Sequence, residues 1–274
     1  MKLAVSNIAW DPAVDAAAAA VLVREGVRGV ELAPTKWRDA PFDAPAADVA
    51  ELRARWEDRG LPIISLQSLL FGRPELQLFA GVRERAAMLD HLRKVADFAA
   101  AVGARSLVFG SPKNRVRGTL STEAAMSIAR EAFRALATHA RERGVVFCVE
   151  ANPPEYGCDF ITRTNEAVEL CRLVDDPSIR VNADLGGMML AGEDPAEAVA
   201  SAAGFVGHVH ASEPHLAPLS TINAHERAAS ALAETKYEGW ISIEMRAPAS
   251  ASEQLPALER AIRVAKRAYA GVNA

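Results

Sequence analysis

VVFCVEAN, residues 145–152, is an apolar run of strand length that stops on a carboxylate, Glu150. The same kind of ending recurs downstream. IRVNADLGG (179–187) reaches Asp184, FVGHVHASEP (205–214) reaches His210, and WISIEMRAP (240–248) reaches Glu244. One carboxylate after a strand is often only an edge group or a helix cap. Four metal-competent endings in a row, spaced 34, 26 and 34 residues apart, predict parallel strands whose C-terminal ends converge on one point. The intervals leave room for the crossover helix that parallel neighbours require.

Working outward, the pattern extends to the whole chain. Eight strand candidates appear: Leu3–Ser6, Gly29–Leu32, Pro62–Leu66, Ser106–Phe109, Val145–Glu150, Arg180–Ala183, Val206–His210 and Trp240–Glu244. Helical periodicity fills the gaps, most clearly at Met88, Leu92, Val95, Ala99 and Val102, whose steps of four and three mark one buried face. Ser121-Thr122-Glu123 supplies capping residues for the next helix, and Gly26, Gly60, Gly103 and Gly144 each close a helix just before a strand. Eight βα units make either an open doubly wound sheet or a closed barrel. The turn after the first strand, Ser6-Asn7-Ile8-Ala9-Trp10, holds no glycine, and neither GxGxxG nor GxxxxGK[ST] occurs. The expected fold is therefore α/β, a single (β/α)8 TIM barrel spanning residues 1–274 as one domain. Such a barrel typically needs roughly 250 residues.

Composition narrows the function. Half of the 274 residues are hydrophobic and 24% are charged, so a large core is expected. A formal net charge of −4 gives no electrostatic footprint for nucleic acid or an anionic membrane. No apolar run approaches the ~20 residues of a membrane-spanning helix. MKLAVSNIAW reads as a first strand rather than a signal peptide, and Cys148, Cys158 and Cys171 form no CxxC pair. A cytoplasmic protein with reduced structural thiols is expected.

Glu150, Asp184, His210 and Glu244 form an oxygen-rich set with one imidazole. Such a set suits one divalent ion, with Mn²⁺ the first choice and Mg²⁺, Co²⁺ or Zn²⁺ as alternatives. An ion held this way leaves room for a vicinal hydroxyl and carbonyl of a sugar, polarises the carbonyl, and stabilises an enediolate. Glu150 and Glu244 come from different strands and can meet the substrate carbon from two sides, one removing a proton and the other returning it.

The chain resembles the sugar phosphate isomerase/epimerase superfamily, the xylose-isomerase-like barrels that include the ketose 3-epimerases. The resemblance covers essentially the whole chain and rests on VEAN with Glu150, NADLGG with Asp184, GHVHASE with His210 and Glu213, and SIEM with Glu244. It implies that Glu150, Asp184, His210 and Glu244 bind one divalent metal and that the two glutamates act as the acid–base pair. It also implies that the loop carrying Glu155 contributes substrate contacts, and that homodimers are common. Two positions depart from the ketose epimerase pattern. Gly187 stands where a histidine follows the metal-binding aspartate, and Leu216 stands where an arginine follows the metal-binding histidine.

Further substrate contacts are expected near the strand ends. Trp10 offers an apolar wall for a sugar face, Gln67 a hydroxyl contact after the third strand, and Lys113 and Arg115 an anion-binding loop after the fourth. Arg117 lies in the same loop, while Trp37 caps the pocket from the loop after the second strand. Glu213 and His215 follow the seventh strand, where His215 can replace a missing substrate contact. Glu31 reads as a buried structural carboxylate or a group behind the ligands, and His208 as a partner behind His210. The leading expectation is a metal-dependent isomerase or epimerase of a small sugar. The alternative is a metal-dependent lyase or dehydratase acting on a keto-sugar, keto-glycoside or inosose. An abasic-site endonuclease is disfavoured because the ends of strands three and four carry no histidine, and a non-catalytic sugar-binding protein would need no acid–base pair.

Overall fold

Each of the eight apolar runs forms a strand in the computed structural model, which describes residues 2–220 and 222–269. The strands are β1 (Lys2–Ser6), β2 (Gly29–Leu32), β3 (Ile63–Leu66), β4 (Ser106–Phe109), β5 (Val146–Glu150), β6 (Ile179–Asp184), β7 (Val206–Ser212) and β8 (Trp240–Glu244). All pairings are parallel, and the strands follow one another around a closed barrel. The ring closes between β1 and β8, where Leu3 faces Ile241 and Val5 faces Ile243. The barrel of eight βα units is thus the architecture that the strand and helix spacing predicts.

An outer ring of helices covers the strands. It comprises α1 (Asp15–Arg24), α2 (Ala46–Glu57), α3 (Val82–Val102), α4 (Thr122–Arg143), α5 (Thr164–Val174), α6 (Leu185–Leu190), α7 (Pro195–Ser201), α8 (Ile222–Glu234) and α9 (Ala251–Tyr269). The α3 stripe is buried throughout, from Met88 to Val102. A fully buried side chain of this size contributes roughly 1.5–3 kcal/mol. Ser121 caps α4 by accepting from the Ala124 amide at 3.2 Å. Gly103 and Gly144 end α3 and α4 at φ 88° and 66°, a left-handed conformation that costs glycine nothing. No helix among the described residues is long and apolar enough to cross a membrane.

At its C-terminal end the barrel interior changes character. Ser6, Glu31, Ser65, Asn182, His208, His210 and Ser242 are all buried there. Buried polar groups persist only when paired, so this layer marks where the fold departs from simple packing. Several strand ends shift by one or two residues from the sequence reading, and two of the shifts matter to the site. β6 runs on to Asp184 and β7 to Ser212, because the ladder continues with Asp184 facing His210 and Ser212 facing Glu244. The helix α6 then starts directly on Asp184, leaving no loop between strand and helix.

Candidate metal centre

The strand ladder brings the four strand-end residues to one rim of the barrel, two of them level and the others offset by two positions. Asp184 on β6 faces His210 on β7, and Ser212, two residues beyond His210, faces Glu244 on β8. His210 Nδ1 then lies 3.6 Å from Glu150 Oε2, 3.6 Å from Asp184 Oδ2 and 3.2 Å from Glu244 Oε2. Three carboxylates from three strands therefore surround one imidazole nitrogen. Ligand atoms of Glu150, Asp184 and His210 all fall within 4.8 Å of one another. This donor set fits a hard or borderline divalent cation.

Each carboxylate is anchored differently. Asn152 Nδ2 donates to Glu150 Oε1 and Asn182 Nδ2 to Glu150 Oε2, both at 2.8 Å. Asp184 is the N-cap of α6, accepting from the Gly187 amide on one oxygen and from Ser212 Oγ at 2.7 Å on the other. Glu244 meets His210 and lacks such an amide clamp among the described residues. The two asparagines and Ser212 escaped the sequence reading. Asn152 stands two residues after Glu150 and Asn182 two residues before Asp184, and that placement was the available signal.

The local electrostatics follow from this crowding. Burial, reinforced by the charge of Asp184, pushes Glu150 up to about 7, against the opposing pull of His210. Glu244 is also raised, again chiefly by burial. Burial would lower His210, but the charges of Glu244 and Glu31 and hydrogen bonds to Asp184 and Glu244 hold it well above its ordinary range.

Gly186 explains how the turn at Asp184 closes. Its amide donates to Ser212 Oγ at 2.8 Å, and a Cβ built there would lie 2.6 Å from the Glu213 carbonyl oxygen. Backbone cannot yield as a flexible side chain would. Gly186→Ala is therefore expected to cost roughly 1–3 kcal/mol in overpacking, read as a lower denaturant midpoint. Weaker divalent-ion binding should accompany it, because the same turn carries Asp184. Unchanged values for both would show that the turn tolerates a shift.

The structure separates the other expected contacts. Arg115 was expected to face an anion, but its guanidinium is completely buried. Its Nη2 donates to the Glu150 carbonyl at 2.6 Å, and its cation lies 5.9 Å from the Phe109 ring centre. The loop after β4 folds inward here, so Arg115 braces β5 instead of opening to ligand. Lys113, on the same loop, is exposed. Arg117 turns to the Asp159 carbonyl and the Leu120 carbonyl. Trp10 is also completely buried, with its indole N–H donated to Asp15 at 2.7 Å, and it presents no open face. Gln67 donates to Ser6 and to Glu31 Oε1, which turns its amide into the barrel. Trp37 stacks on Phe98 of α3 at 5.9 Å, away from a capping position.

Glu155 is exposed on the loop after β5. Glu213 is buried and accepts from the Ser220 amide at 3.1 Å. His215 is exposed at φ 61°, with its amide donated to the Tyr156 hydroxyl at 3.1 Å. Tyr156 thus joins the loops that follow β5 and β7. Gly187 and Leu216 are both in ordered backbone. A Cβ at 187 would lie 2.8 Å from Asp184 Oδ1, and the Leu216 carbonyl accepts from the Arg246 amide at 2.8 Å. All three cysteines are buried free thiols, and burial pushes Cys148 and Cys171 up to about 12.

A family model described as xylose isomerase-like TIM barrel matches residues 19–268. Among solved structures, the chain is similar to D-psicose 3-epimerase with D-tagatose from Clostridium cellulolyticum H10, with a TM-score of 0.80, 16% identity and 99% of each chain covered. It is also similar to 3-keto-D-glucoside 4-epimerase from E. coli, with a TM-score of 0.73 and 18% identity over 95% of this chain and 98% of that one. A third likeness is to the IOLI protein with a binding zinc atom, with a TM-score of 0.72 and 16% identity over 99% and 98% of the two chains. A comparison with curated proteins finds no significant match. At these identities the structural likeness is one of fold.

Proposed function

Because this chain belongs to the xylose isomerase-like TIM barrel family, we propose that it is a metal-dependent isomerase or epimerase of a small sugar or sugar derivative. The observation that carries the proposal is the convergence of Glu150, Asp184 and Glu244 on His210 Nδ1 at 3.2–3.6 Å. Those four residues would hold one divalent ion, Mn²⁺ by the hardness of the oxygen donors. Zinc is the ion named with the IOLI protein, one of the structures of similar fold. The ion would polarise the substrate carbonyl and stabilise the enediolate formed when the neighbouring carbon loses its proton.

The chain's own residues would move that proton. Glu150 on β5 and Glu244 on β8 flank β6 and β7 and approach the centre from two sides. Burial and the charge of Asp184 raise Glu150 to about 7, which strengthens it as a base; a bound ion would draw that value down. The Asn152 and Asn182 amides fix Glu150 in orientation, while Glu244, without such a clamp, can follow a reacting carbon. Structures of similar fold include a D-psicose 3-epimerase with D-tagatose and an L-ribulose 3-epimerase, which supports a sugar as the substrate class. Lys113, Glu155, His215 and Tyr156, on the loops above the centre, would set which sugar enters. A cytoplasmic, homodimeric enzyme remains part of this proposal.

One observation favours a second reading, elimination from a keto-sugar, keto-glycoside or inosose. A side chain at 187 would press on Asp184 Oδ1, so the ketose epimerase histidine at that position has no counterpart here. The reacting oxygens would then be gripped differently. Both readings are tested by incubating ketoses, keto-glycosides and inososes with the protein and Mn²⁺ or Co²⁺ in deuterated water. Epimerisation or isomerisation is expected to place solvent deuterium on an intact sugar. Elimination instead yields a product lacking a substituent. Neither exchange nor product across the panel would sink both.

A further inference from the structure

Glu31 stands outside the ligand set, yet it is completely buried at the centre of the barrel. Its Oε2 accepts from Ser65 Oγ at 2.6 Å and meets His208 Nε2 at 2.8 Å. Its Oε1 accepts from Gln67 Nε2 at 3.1 Å and Ser242 Oγ at 3.2 Å, and lies 3.0 Å from His210 Nε2. The partners rise from β3, β7 and β8 and the turn after β3, so one carboxylate ties distant staves together. Burying such a charge costs several kcal/mol unless its partners are well placed. Hydroxyls and an amide alone would satisfy a structural carboxylate. The two imidazoles, one of them the centre of the ligand cluster, call for another account.

We propose that Glu31 is a positioning residue of the metal centre: its carboxylate, 3.0 Å from a His210 Nε2 that makes no hydrogen bond among the described residues, keeps the ring proton on that nitrogen and so turns Nδ1 toward Glu150, Asp184 and Glu244. An imidazole has one lone pair to give a metal, and the hydrogen bond made by its other nitrogen decides which nitrogen carries it. With the proton kept on Nε2 by the adjacent Glu31 charge, Nδ1 is the donor atom, and a flipped ring would lose that contact. His208 secures the other oxygen of Glu31, so the carboxylate cannot swing away. The rings of His208 and His210 stand nearly perpendicular, at 83° with centres 5.3 Å apart, which lets both reach the same carboxylate. Glu31, His208 and His210 could themselves be taken for a metal site, since their ligand atoms fall within 4.8 Å. Their N···O separations of 2.8 and 3.0 Å are direct contacts, and the His208 contact is a hydrogen bond. Two ligands each ~2.1 Å from one tetrahedral ion would stand about 3.4 Å apart. The triad therefore holds protons and serves the ligand cluster beside it.

This inference rests on the reading of Glu150, Asp184, His210 and Glu244 as ligands, and the test keeps the two apart. The full chain, stripped of metal, is titrated with Co²⁺, and the visible absorption of the bound ion is recorded together with its affinity. Glu31→Gln is expected to lower Co²⁺ affinity by about 10–100-fold, the range for lost support behind a ligand, and to shift the visible bands as His210 reorients. Leu92→Ala, a cavity in α3 far from the centre, should lower thermal stability while keeping the parent affinity and spectrum. That contrast separates positioning from general destabilisation. If Glu31→Gln does not fold, Glu31→Asp is measured instead; its carboxylate is drawn back by one methylene, and the same losses are expected. A variant with parental affinity and spectrum overturns the role of Glu31 and leaves the ligand reading intact. A parent chain that takes up no Co²⁺ overturns the ligand reading itself.

Discussion

Glu244→Gln is expected to slow deuterium exchange into the substrate by about 10²–10⁴-fold, the usual contribution of a positioned acid–base group. Glutamine keeps the volume and leaves an oxygen able to approach the ion, but it cannot accept the substrate proton. The side chain lies 3.2 Å from His210 Nδ1, so part of any loss could come from weaker metal binding. Exchange is therefore measured by proton NMR in deuterated water at saturating Mn²⁺, with the ion affinity determined separately. Affinity should fall less than the exchange rate does. A variant that exchanges at the parental rate would remove Glu244 from the acid–base pair. Exchange lost only in proportion to metal occupancy would reduce it to a ligand.

The sequence made the barrel legible because two periodicities alternate without interruption. Short strand runs such as Ser106–Phe109 repeat between helices such as α3, whose buried stripe from Met88 to Val102 needs no knowledge of its neighbours. The convergence of Glu150, Asp184, His210 and Glu244 was legible for a related reason. In a parallel barrel every strand delivers its C-terminal end to the same rim, so position in the chain stands in for position in space. Substrate contacts had no such rule. Arg115 and Lys113 are two residues apart, yet one guanidinium is sealed against β5 while its neighbour on the loop is exposed. Trp10 found Asp15 five residues along the chain, and nothing in a single sequence reports that choice. Glu31 and His210 meet through the barrel interior across 179 residues of sequence, a contact that no local pattern encodes.

The charge balance of the centre leads to the second large effect, a dependence of stability on pH and metal that runs opposite to ordinary carboxylate behaviour. In the absence of metal Glu150 is raised to about 7 by burial and by Asp184, and Glu244 is raised as well. A group whose folded pKa lies above its unfolded value contributes stability that is complete below the unfolded pKa and is lost as pH rises through the folded one. For Glu150 that window runs from about 4.3 to about 7. At 1.36 kcal/mol per pK unit the loss is on the order of 4 kcal/mol. His210, also raised, adds a loss of the same sign above the ordinary histidine range. A bound divalent ion reverses this, because it needs the carboxylates ionised and the imidazole neutral. Its affinity should therefore climb through pH 6 to 8, by about tenfold per unit for each proton released. At a hundred times its dissociation constant it should stabilise the chain by about 2.7 kcal/mol. Thermal melts at pH 5.5 and 8.0, with and without Mn²⁺, check the sign. The metal-induced rise in melting temperature should be large at pH 8.0 and small at pH 5.5. An equal rise at both would mean that Glu150, Glu244 and His210 do not give up protons to the ion, and so do not ligate it.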